Sequence, residues 1–203
     1  MKKIFIIICL ILVIISGFLI CCTNKQKEKI SALESSISEL KKEILISTFV
    51  ITQKTDSEIS MKIRLFDYGG KEICTFPVKI PGTQIYFDTE LVNYEEKGYY
   101  LAFPSKIYSD KVPPAGGISL YEFYTGKENF PLNYSNSPFD SDEEKDFITR
   151  IFDSVKQGKN INSKSFGSSV HEPVFLPGFI INQPYSVIYR PLKGGIELME
   201  AGF

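Results

Sequence analysis

Apolar and polar positions follow different rules in successive parts of this chain. From Ile4 to Cys22 nothing is charged, and the run is long enough to cross a hydrocarbon core of about 30 Å as a helix. From Lys25 to Ile46 the apolar residues Ile30, Leu33, Ile37, Leu40 and Ile44 recur at spacings of three and four. That is a short heptad seam, and its alternation of isoleucine and leucine favours a parallel two-stranded coiled coil. Lys29 and Glu34 flank the seam where opposite charges attract between neighbouring helices. A helix this short is marginal alone in water, so the same stripe also suits packing against the chain's own body.

After Ser47 the period drops to two. In EISMKIRL, Ile59, Met61, Ile63 and Leu65 share one face and Glu58, Ser60, Lys62 and Arg64 the other, which predicts a strand with one wet side. DYGGKE supplies a turn, and ICTFPVKI repeats the pattern with Cys74, Phe76, Val78 and Ile80 inward. Pro77 lacks a ladder donor, which places this second run at a sheet edge or a bulge. QIYFDTELVNY and YYLAFPSKIY follow, and the four runs together predict an antiparallel meander of the kind found in two-sheet sandwiches. Residues 110–139 mix proline, glycine, asparagine and aromatics without a period and read as long ordered loops. Ser141 and Glu144 form a capping box before the stripe Phe147, Ile148, Ile151, Phe152 and Val155, which predicts one helix packed on the sheet and ended near Gly158. YSVIY and GIELM close the chain as further strands. The expected organisation is a membrane anchor at residues 1–22, a helical stalk at 23–46 and a mainly β domain with one packed helix at 47–203.

The end of the anchor carries a resemblance. Leu19, Ile20, Cys21 and Cys22 resemble a bacterial lipobox, in which a leucine stands three residues before a lipidated cysteine. The resemblance implies a lipoprotein cut before Cys22. The length of the apolar run instead implies an uncut signal anchor, since cleavable signals have shorter cores. Either way, Lys2 and Lys3 ahead of the run favour an amino terminus kept inside. The body then faces away from the cytoplasm, on a bacterial inner membrane for the anchored form. Residues 4–22 are thus the expected membrane contact.

Composition narrows the functional classes. A net charge of -1 over 203 residues gives no basic field for nucleic acid. The body holds a single cysteine, Cys74, so it has no internal disulfide, and the strand pattern makes that residue a core cysteine. His171 is the only histidine, which excludes a histidine-based zinc site, and Ser168 and Ser169 beside it lack a nucleophile-elbow setting. The acidic run from Asp140 starts like a calcium loop but has Lys145 where glycine belongs and Ile151 where the closing glutamate belongs. No phosphate-binding glycine loop is present, and no cofactor is expected.

Two readings remain. In the first, the body is a non-catalytic binding or structural module of the cell envelope. Lys106, Tyr108, Lys111, Tyr121, Phe123 and Tyr124 then either line a groove for a sugar or peptide or pin a loop to the core. In the second it is an envelope hydrolase acting on glycan or peptide, with carboxylates drawn from Asp88, Glu90, Glu95 and Glu122.

Overall fold

The computed structural model describes residues 23–27, 29–31, 33–34, 38, 43–94, 98–158, 165–170, 174–175, 179–192 and 195–200. The chain divides into two units, Met1–Glu39 and Leu40–Phe203. In the first unit the described residues are helical, and Ile30 and Leu33 are exposed at 54% and 62%. The expected membrane segment with Cys22, and the seam residues Ile37 and Leu40, lie outside the described residues. No helix among the described residues is long and apolar enough to cross a membrane.

Ile44 corrects the stalk. It does not continue the heptad seam but opens β1 (Ile44–Lys54) and is buried in the core of the second unit. The strand was hidden by a bulge. Pairing with β9 slips between Leu45 and Ser47, so the inward set runs Ile44 and Ile46, then Phe49 and Ile51, instead of holding one parity. A bulge breaks the two-residue period, and the broken alternation happens to extend the three-and-four spacing upstream.

The second unit is mainly β, built of antiparallel sheets with few helices. Its remaining strands are β2 (Glu58–Phe66), β3 (Glu72–Pro81), β4 (Gln84–Tyr94), β5 (Tyr99–Ser109), β6 (Ile118–Ser119), β7 (Ser165–Val170), β8 (Val174–Phe175), β9 (Pro184–Arg190) and β10 (Gly195–Glu200). One sheet has the order β10-β9-β1-β2-β3; the other runs β6-β5-β4-β7, with β8 also paired to β4. Pro77 lies in β3, an edge strand, as its missing donor requires.

The four runs do not form one meander. The chain leaves the first sheet after β3 and enters the second at β4. Gly82 makes the crossing with φ +130°, and a Cβ there would lie 2.5 Å from Asp110 Oδ1. That carboxylate accepts hydrogen bonds from the Thr83 and Gln84 amides at 2.7 and 2.9 Å. Both sheets contribute to a single hydrophobic core. Phe49 of β1 stacks on Phe87 of β4 with ring centroids 4.6 Å apart and on Tyr185 of β9 at 5.4 Å.

The other face of the second sheet is partly covered by α1 (Asp142–Lys156). The helix starts at the capping box read from the sequence: Ser141 Oγ accepts from the Glu144 amide at 3.2 Å and donates to the Glu144 carboxylate at 2.9 Å. Ile148, Ile151, Phe152 and Val155 are buried. Phe152 packs on Phe103 of β5 at 5.6 Å and Phe147 on Tyr94 of β4 at 4.2 Å. β6 covers only Lys106 and Ile107 of the β5 edge, so the loop before α1 supplies the remaining partners. The Ala102 amide donates to Tyr134 Oη at 2.7 Å, Asn133 donates to the Ala102 carbonyl at 3.0 Å, and Tyr124 donates to the Pro104 carbonyl at 2.8 Å. These side chains satisfy edge groups that would otherwise be buried without partners.

Candidate functional site

Along β4, residues 86, 88, 90, 92 and 94 share the face on which α1 sits, because side chains on a strand alternate. On β5 that face is reached by two different parities. Asp88 stands opposite Lys106 but Thr89 stands opposite Pro104, so one β5 residue is extra at Pro104–Ser105. The bulge brings Tyr108 and Lys106 to the same face as Phe103 and Leu101. The helix covers the Tyr94 and Phe103 end. The other end carries Tyr86, Asp88, Glu90, Lys106 and Tyr108, and Tyr121, from a helical turn at Tyr121–Tyr124, approaches it from the side.

This end of the face is aromatic, charged and largely shielded from water. Tyr86 and Tyr108 are cross-strand partners stacked nearly parallel, 4.8 Å between centroids at 3°. Asp88 is 3% exposed, and Glu90, Lys106 and Tyr121 are half-buried. Burial holds the Glu90 carboxyl above the usual carboxylate range; the Asp88 charge adds to this and the Lys106 charge opposes it. Burial also raises the Tyr121 phenol, with Glu90 and Asp88 adding to the effect. Tyr108 is raised by burial and then by Asp88 and Tyr86. Ionisable groups perturbed by desolvation together with a specific charged neighbour are candidates for a functional site.

Of the six residues expected to line a groove, the structure brings three together: Lys106, Tyr108 and Tyr121. Phe123 lies elsewhere, stacked on Phe76 of β3 with centroids 3.7 Å apart. Tyr124 is fully buried, so it pins the loop to β5 instead of facing a ligand. Lys111 is exposed in the turn after β5, where its amide donates to Ser109 Oγ. Of the candidate carboxylates, Asp88 and Glu90 fall in the cluster, Glu122 is exposed beside Lys156 at 3.6 Å, and Glu95 lies outside the described residues. Tyr86 and Ser105 were missed. Alternation alone joins Tyr86 to Asp88 and Glu90, but only the bulge, whose one mark in the sequence is Pro104 inside the β5 run, joins them to Lys106.

Elsewhere the chemistry is sparse. Cys74 is half-buried, its thiol donates to the Phe123 carbonyl at 3.3 Å, and burial followed by the Glu72 charge pushes its pKa up, away from a reactive thiolate. His171 lies outside the described residues. Among the described residues no group of histidine, cysteine and carboxylate side chains is placed to hold a metal. Two clefts of about 220 and 460 Å³ flank Phe130 and Lys145 near the start of α1. Their acidic lining is explained locally, since Asp142 and its neighbours complement the positive end of the helix and Lys145 pairs with Asp140 at 2.5 Å.

The fold and site define a two-sheet antiparallel β protein with a shielded tyrosine and carboxylate cluster on one sheet face. No protein-family model matches the chain, nor does any curated protein or solved structure.

Proposed function

We propose that this chain is a membrane-anchored, extracytoplasmic binding module of the bacterial cell envelope. In this reading its two sheets pack as a β-sandwich and the tyrosine and carboxylate end of the second sheet recognises an envelope protein or cell-wall component. The observation that carries it is the concentration of half-buried charge among tyrosines beyond the end of the sheet that α1 packs on. Buried charges rarely repay their desolvation in stability, whereas aromatic side chains with a few placed polar or charged groups are what ligand sites are lined with. Residues 4–22 hold the module to the inner membrane, or Cys22 holds it as a lipoprotein. Ile30, Leu33, Ile37 and Leu40, without Ile44, pair two copies in parallel.

Photo-crosslinking in intact cells tests the recognition face. A photoreactive residue at Tyr86 is expected to give discrete crosslinked species that vanish on Glu90→Gln, while the same residue at exposed Lys79 of β3 gives none of them. Identical products from both positions, or none from Tyr86, would refute the reading. The intact mass of membrane-extracted protein decides the anchor: a chain from Met1 means a retained helix, and a chain from Cys22 plus acyl groups means lipidation.

One observation favours a second reading, an envelope hydrolase. Asp88 and Glu90 lie two residues apart on one strand, about 6.6 Å along the backbone, and two carboxylates in different environments can divide acid and base roles. Cleavage of cell-wall glycan or peptide that is abolished by either Asp88→Asn or Glu90→Gln would establish it.

A further inference from the structure

We draw no further inference here: the strongest candidate, the pair of clefts that share Phe130 and Lys145 beside the start of α1, is lined by carboxylates that the helix start and Lys145 already explain, and no second feature among the described residues points to a ligand there.

Discussion

Phe152→Ala tests whether α1 belongs to the core that positions the site. Phe152 has no exposed surface, and its ring meets those of Phe103 at 5.6 Å, Tyr121 at 5.8 Å and Tyr124 at 5.3 Å. It therefore joins the helix, the second sheet and the turn that carries Tyr121. Truncating a buried phenylalanine costs about 3–5 kcal/mol through lost transfer energy and the cavity left behind. With three ring partners, each worth up to about 1 kcal/mol beyond area, the upper half of that range applies, about 4–5 kcal/mol. For a domain of this size 1 kcal/mol lowers Tm by roughly 2–4 °C, so Tm is expected to fall by at least about 8 °C. Urea unfolding of the full chain followed by circular dichroism reads the midpoint, and an unchanged slope keeps the loss attributable to stability. Phe147→Ala is the internal control: its ring is half-buried on Tyr94 alone, so its cost is expected to be less than half as large. A Phe152→Ala loss below about 1 kcal/mol, or no larger than that of Phe147→Ala, would refute the packing of α1 described above.

Other expectations follow from single contacts. Ser141→Ala removes the cap on the Glu144 amide and is expected to lower stability by about 1 kcal/mol, read from the urea midpoint; no change would mean the helix start is not closed by this residue. Tyr134→Phe strips the acceptor from the Ala102 amide at a buried β5 edge and is expected to cost about 1–3 kcal/mol, visible also as faster hydrogen exchange at Ala102. Glu90 gives a pH test of definite sign. Its folded pKa lies above its unfolded value, so the native state holds the proton more tightly and loses stability as pH rises through that interval, from the ordinary value near 4.5 upward. Glu90→Gln is therefore expected to be neutral in acid and stabilising at neutral pH; destabilisation at neutral pH would show that the carboxylate serves the fold.

Most of the elements could be read from hydrophobic spacing, because each buries one face and the spacing records it. β2, β3, β4, β5 and α1 follow the alternation, the Pro77 edge and the Ser141 capping box. What could not be read has two physical sources. Bulges shift the parity of a strand without changing its composition: one hid β1 from Ile44 onward, and another concealed that Lys106 and Phe103 face the same way. Long-range pairing is the other source. A glycine after a proline at Gly82 fits a tight hairpin as well as a crossing between sheets, and the difference lies in Asp110 holding the Thr83 and Gln84 amides from 26 and 27 residues away. For the site, composition singled out the aromatics of residues 108–124 but not which of them pack inward. Tyr124 and Phe123 sit in one helical turn with Tyr121, yet one is buried under β5 and the other stacks on β3.

The bulge at Pro104–Ser105 shapes the face on which the proposed site lies. Without it, β5 would keep a single parity, and if Phe103 stayed against α1, Lys106 and Tyr108 would turn toward the core between the sheets. A lysine there would be buried without a partner, at a cost of several kcal/mol. The extra residue lets one strand serve two masters on the same face, a hydrophobic end under Phe152 and a charged end opposite Asp88. It also leaves Ser105 fully buried, with its hydroxyl against the Tyr121 phenol. A strand devoted to stability alone would gain by losing the half-buried carboxylate that burial already destabilises. The proposed site therefore sits on a strand held by the Tyr134, Asn133 and Tyr124 bonds to β5, beyond the end that Phe152 of α1 packs on.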